Sequence, residues 1–148
     1  DAFQAGLSWA IVLNKREGFR KAFHNFDPLK ISKYTDKDFN RLVNDAGIIR
    51  NKAKIKATIT NAQKFIEVQK EYGSFDKYIW QFVKNKPIKN GWKNTKELPS
   101  TSKESDIMSL DLKKRGFKFV GSTICYAFMQ AAGMVNDHTL SCFKYNQV

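Results

Sequence analysis

Apolar positions recur along this chain mostly three and four residues apart, the spacing of one helix face, and strict two-residue alternation is scarce. The pattern predicts an all-α fold. Residues 2–14 (AFQAGLSWAIVLN) are apolar enough for a buried helix, interrupted near Gly6, and Trp9 taken alone reads as a core residue on it. Phe19, Ala22, Phe23 and Phe26 continue the helical spacing up to Asp27-Pro28, where proline drives its neighbour toward an extended or turn conformation. Thr35, with Asp36 and Asp38 behind it, has the make-up of an N-cap: a hydroxyl to accept from an unpaired amide, and carboxylates at the positive end of the helix. The helix it starts carries Phe39, Leu42 and Val43 and stops by Gly47.

A long helix over 51–72 places Ile55, Ile59, Ala62, Phe65, Ile66 and Gln69 on one side, with Lys52, Lys56 and Lys64 largely elsewhere and Gly73 as its stop. Ser74 begins a short helix bearing Tyr78, Ile79, Trp80, Phe82 and Val83. Residues 85–102 are rich in Pro, Gly, Asn, Ser and Lys and read as a surface loop. Thr101 and Glu104 have capping-box spacing ahead of a helix that ends near Lys113-Lys114-Arg115 at Gly116.

Composition narrows the class. A chain of 148 residues, 42% hydrophobic and 14% aromatic, suits one folded domain and excludes a disordered tail. Twenty-six Lys and Arg against 14 Asp and Glu give a net charge of +12, which favours a polyanionic partner, nucleic acid before an anionic membrane surface. No apolar run reaches the length of a membrane span. Two cysteines, Cys125 and Cys142, exclude a disulfide framework and point to a reducing compartment, the cytoplasm or nucleoid. A first residue that is Asp1, leading straight into patterned sequence, suggests that an N-terminal segment of the natural protein precedes it.

The stretch LKKRGFKFVGSTICYAFMQAAG, residues 112–133, contains a helix end, a loop bracketed by Gly116 and Gly121, and a second helix started by Ser122 or Thr123. Glycines permit close backbone approach, and the first amides of the second helix can receive a phosphate oxygen. Lys113, Lys114, Arg115 and Lys118 add attraction to the same place. The plain alternative is a helical corner with Phe117, Phe119 and Val120 in the core and a solvated basic cluster. The global charge favours nucleic acid, held by sugar and phosphate without reading of sequence. A helix-hairpin-helix DNA-binding module without activity and an RNA-binding helical domain both fit these features.

Three stretches together resemble the DNA-3-methyladenine glycosylase I family of the helix-hairpin-helix glycosylase superfamily: QAGLSW at 4–9, DAGIIRNKAKI at 45–55, and KKRGFKFVGSTICYAFMQAAGMVNDH at 113–138. Their order and spacing fit too, so the resemblance covers essentially the whole chain as a single glycosylase domain. It implies hydrolysis of the N-glycosidic bond of 3-methyladenine in alkylated double-stranded DNA, with the target base drawn out of the stack. On the matching loop, Gln4, Gly6, Leu7 and Ser8 contact DNA, with Leu7 as the wedge that fills the gap. Trp9 becomes the wall on which the cationic base stacks. Asp1 stands where the family has a Glu, one methylene shorter, and takes the role of catalytic and base-binding carboxylate. Gly116, Lys118, Gly121 and Ser122 become the hairpin's DNA contacts. Asp137 lies where many superfamily members keep a catalytic Asp; this family works without that role, which leaves Asp137 to cap or orient its neighbours.

His138 and Cys142, four residues apart, are spaced to face one metal from adjacent turns, but two ligands do not close a zinc site, and by composition alone such a pair reads as a structural coincidence. The resemblance implies one structural zinc, its other ligands coming from the N-terminal segment, and no organic cofactor. A monomer in the bacterial cytoplasm, associated with the nucleoid and not with a membrane, completes the expectation.

Overall fold

The computed structural model describes residues 3, 4 and 6–147. Eight α-helices follow one another among them: α1 (Trp9–Asn14), α2 (Arg16–Ala22), α3 (Pro28–Ile31), α4 (Asp36–Asn44), α5 (Lys52–Tyr72), α6 (Phe75–Trp80), α7 (Lys103–Lys114) and α8 (Ser122–Ala131). Two short strands, β1 (Ile88–Lys89) and β2 (Val135–Asn136), pair in parallel with Ile88 opposite Val135. The fold is all-α, as the spacing of apolar residues predicts.

Helix α5 organises the rest. Its start is set by Asn51, whose Oδ1 accepts the Lys54 amide at 3.0 Å, and its end by Gly73 at φ 82°, a left-handed conformation that costs glycine little. Its first half buries Ile55 and Ala62 against Phe19, Phe23, Ile31, Leu42 and Ile48. Its second half buries Val68 among Tyr78, Met108, Leu112, Met129 and Met134. Two apolar clusters therefore share one rod, and elements from both ends of the chain meet along it.

The N-terminal region departs from its expectation. Helix α1 is six residues long and buries none of them; Trp9, Ile11 and Leu13 are 51%, 46% and 46% exposed. Ahead of it, the Leu7 amide donates to the Gln4 carbonyl at 2.7 Å, with Gly6 at φ 77°, so a tight turn replaces the first helical turns. Apolarity here serves an open cleft, and periodicity cannot separate that use from a core. Phe26 likewise falls outside the core, 51% exposed, because positive φ at His24, Asn25 and Phe26 ends the helical progression after Ala22.

Local corrections are smaller. Asp27 does turn the chain, and it also caps α3, its Oδ1 accepting from Leu29 at 2.9 Å and Lys30 at 3.2 Å with Pro28 in the first turn. Thr35 occupies the N-cap of α4 as expected, in a capping box with Asp38, whose carboxylate accepts the Thr35 amide at 3.1 Å and its hydroxyl at 3.2 Å. The box ahead of α7 sits one residue later than Thr101, with the Ser102 amide donating to Ser105 Oγ at 2.8 Å.

Helix α2 packs backbone to backbone against the loop before α5. A Cβ on Gly18 would overlap the carbonyl oxygen of Gly47, a group with no freedom to turn aside. Gly18→Ala is expected to cost about 2–3 kcal/mol of stability. Chemical denaturation reads it, and an unshifted midpoint would contradict the contact.

Candidate active site

Helices α1 and α2 and the segment before them enclose a cleft of about 550 Å³, within the roughly 300–1,000 Å³ of small-molecule sites. Phe3, Trp9, Val12, Leu13, Phe19, Phe23 and Phe26 supply its apolar lining, and Arg16, Thr58 and Asn61 its polar points. The Phe3 ring packs 4.4 Å from that of Phe19, and Phe19 stacks on Phe23 at 6.0 Å, which gives the cleft a rigid aromatic floor. Trp9 stands on its rim. Such a cleft takes a flat heteroaromatic ring, and an indole face favours one that carries positive charge.

The expected loop residues form the turn that leads into Trp9 and are not themselves part of the cleft lining. Leu7 is half-buried, while Gly6 and Ser8 are exposed, and Ser8 occupies the N-cap position of α1 without a side-chain cap bond. Gln4 closes the turn through its carbonyl. Asp1 lies outside the described residues.

Helices α7 and α8 and the loop between them form the helix-hairpin-helix. Gly116 adopts φ 93° after α7, and Gly121 occupies the N-cap of α8, where a Cβ would meet nothing within 4 Å. Phe117 is buried, as the plain corner reading requires, whereas Phe119 is exposed at 38% with φ 56°. Lys113, Lys114 and Lys118 are exposed. Arg115 does not join them: its guanidinium bonds Asp111 at 2.9 Å, Glu71 at 2.7 Å and the Tyr72 hydroxyl at 2.6 Å, which commits it to holding α7 on α5. Ser122 Oγ donates to Asp106 at 2.5 Å and lies 2.8 Å from Ser105 Oγ, tying the start of α8 to the start of α7.

Two groups escaped the sequence reading. Asn61, from the middle of α5, donates to the Lys118 carbonyl at 2.9 Å and accepts the Lys118 amide at 2.7 Å. An asparagine inside a long helix, where it is a poor helix former, is the signal that marks it. The second group surrounds Asp137, which is buried and accepts four bonds: from Asn90 at 2.8 Å and Trp92 at 2.7 Å on one oxygen, and from Tyr126 at 2.6 Å and Gln130 at 2.7 Å on the other. Burial alone would raise its carboxyl, but these donors outweigh burial and hold it below the usual carboxylate range. The β1–β2 pair positions Asn90 beside it, through the Asn90 amide to the Asn136 carbonyl at 3.1 Å. Asp137 lines a different depression from the aromatic cleft, with Gln130, Asn136 and His138. It ties the loop after β1 to α8 through these four bonds.

The expected zinc site is corrected. Among the described residues, no three His, Cys, Asp or Glu side chains converge to hold a metal ion. Cys142 Sγ lies 3.5 Å from His138 Nδ1, so the two side chains satisfy each other in a hydrogen bond. Both cysteines are free thiols, and burial pushes that of Cys125 up to about 11.

A glycine-bracketed hairpin latched to the helix that walls an aromatic cleft defines a helix-hairpin-helix protein. Over residues 1–145 the chain matches the family described as methyladenine glycosylase. It is 49% identical over 142 residues to DNA-3-methyladenine glycosylase 1 of Escherichia coli strain K12, covering 96% of this chain and 76% of that relative. A crystal structure of a 3-methyladenine DNA glycosylase I is similar at 46% identity and a TM-score of 0.92, over 96% of this chain and 78% of that one. The Staphylococcus aureus 3-methyladenine DNA glycosylase I is similar at 32% identity and a TM-score of 0.93, over 97% and 77%. The chain belongs to the methyladenine glycosylase family, a branch of the helix-hairpin-helix DNA glycosylases. Among the described residues no helix is long and apolar enough to cross a membrane.

Proposed function

We infer that this protein is a base-excision repair glycosylase that hydrolyses the N-glycosidic bond of 3-methyladenine in alkylated double-stranded DNA. The observation that carries this reading is the open aromatic cleft, with Trp9 on its rim, joined through Asn61 to a hairpin suited to the DNA backbone. Neither a pure binding module nor an RNA-binding domain has use for that cleft.

The chemistry follows from the substrate. Methylation at N3 leaves the adenine cationic, so when the bond from the sugar's C1′ breaks, the electron pair neutralises the ring and the base departs without prior protonation. Water adds to C1′ and loses its proton, leaving an abasic site. The protein's part is therefore to extract the base, hold it, and favour the developing sugar cation. Leu7 fills the vacated stack, with Gln4, Gly6 and Ser8 against the strand around it. Trp9 receives the flipped ring. Asp1 accepts from the exocyclic amine and contributes negative charge. Gly116, Lys118 and Gly121 approach the phosphates with backbone amides and a lysine. Ser122 reaches them only through its backbone amide, since its hydroxyl is spent on Asp106. A net charge of +12 steers the duplex to this face. The chain works as a single glycosylase domain, a monomer, on chromosomal DNA in the bacterial cytoplasm, a location supported by its two free thiols and the bacterial source of its relatives.

The test is incubation with methylated duplex DNA, followed by chromatography of the released bases. Free 3-methyladenine is the expected product. Duplex binding with no base released would instead favour a non-catalytic helix-hairpin-helix module.

A further inference from the structure

Every backbone polar group in a tight hairpin needs a partner, and those of Lys118 find both of theirs in one side chain. Asn61 accepts from the Lys118 amide at 2.7 Å and donates to its carbonyl at 2.9 Å, the pairing a neighbouring strand would otherwise offer. The adjacent residue, Phe119, stands at φ 56°, so this loop holds a conformation that a non-glycine residue adopts only when its surroundings enforce it. Asn61 is part of that enforcement. Ser109 completes it from the other side, its hydroxyl donating to the Val120 carbonyl at 2.7 Å.

The same asparagine lines the aromatic cleft, beside Thr58. One turn further back, Lys54 Nζ donates to the Phe3 carbonyl at 3.0 Å and so fastens the segment that carries the cleft's first aromatic ring. Lys54, Thr58 and Asn61 are spaced four and three apart and share one face of α5. Lys54 to Asn61 spans about 10 Å of helix axis. That face of α5 is thus a ruler with the base cleft fastened at one mark and the phosphate-holding hairpin at the other.

We propose that Asn61 is a positioning residue that fixes the register between the hairpin and the base cleft, so that engagement of the phosphates delivers the flipped base onto Trp9. This rests on the glycosylase reading above. Loosening the latch leaves the basic hairpin able to hold DNA and leaves the cleft able to hold a ring, but the two no longer act at one fixed separation. A misplacement of about 1 Å is enough to cost two orders of magnitude in rate.

Asn61→Ala is expected to lower single-turnover kcat on methylated duplex DNA at least tenfold. The KM for the duplex should stay within threefold, and the affinity for free 3-methyladenine within twofold. In Asn61→Asp the carboxylate still accepts the Lys118 amide but repels its carbonyl, and protonation restores the missing donor. The kcat of that variant, taken relative to the parent chain, should therefore rise as pH is lowered toward 5. A kcat for Asn61→Ala within twofold of the parent overturns the proposal. So does an equal loss of duplex turnover and free-base affinity, which would make Asn61 a cleft wall only, or loss of helical circular dichroism in both variants, which would make it a folding contact only. Absence of base release by the parent chain overturns the glycosylase reading and this inference with it, whereas an active parent with an unaffected variant overturns the inference alone.

Discussion

Asp137→Ala is expected to destabilise the protein by about 3–5 kcal/mol, because it strands four donors around a buried position. Asn90, Trp92, Tyr126 and Gln130 come from the loop after β1 and from α8, and Asp137 is their shared acceptor. Backbone bonds also hold the loop, from the Asn90 amide to the Asn136 carbonyl at 3.1 Å and from the Leu140 amide to the Trp92 carbonyl at 2.8 Å, but they leave the four side-chain donors without another acceptor among the described residues. Denaturation at neutral pH measures the loss, and a midpoint within about 1 kcal/mol of the parent would contradict the account. The pH dependence follows from the same geometry. Burial raises the Asp137 carboxyl and the four donors lower it further than burial raises it, so its folded value lies below its unfolded value of about 3.9. Its contribution is then fully present above the unfolded value and is lost as pH falls through the folded one. Stability of the parent should decline as pH falls below about 5 and on through the lowered folded value, and the alanine variant should decline less.

Trp9→Ala is expected to reduce kcat/KM on methylated duplex DNA about 100-fold with no cost to folding. Stacking of one base on an aromatic side chain is worth about 1–3 kcal/mol, and attraction of a cationic ring to the indole face adds to it. Helix α1 buries none of its residues and Trp9 is 51% exposed, so the denaturation midpoint should shift by no more than about 0.5 kcal/mol. An unchanged kcat/KM would remove Trp9 from the base site. An unfolded variant would show that α1 carries the core after all.

The contrast between these two residues shows what the sequence makes legible. Helix α5 was readable to within one residue because its signals are local: an asparagine to accept the first amides, apolar residues at helical spacing, and a glycine to leave the helix. The hairpin was readable for the same reason, through Gly116 and Gly121 and the basic residues around them. Trp9 was legible only through the match of its motif, since an apolar run looks alike whether it faces a core or a cleft. Asp137 and Asn61 act on residues 47 and 57 positions away, and no spacing rule reaches so far. Arg115 misled by sitting in a basic run while its guanidinium is spent on Glu71 and Asp111. His138 and Cys142 misled because four-residue spacing serves a hydrogen bond as readily as a metal ion.

The central claim is that the aromatic cleft holds a base detached from DNA. The most direct measurement counts free 3-methyladenine against abasic sites, after single-turnover incubation of the protein with duplex DNA labelled on the methyl group. The account predicts equal numbers of both, with the signal falling about 100-fold for Trp9→Ala. Duplex that is bound while every labelled methyl group remains in the polymer would contradict it.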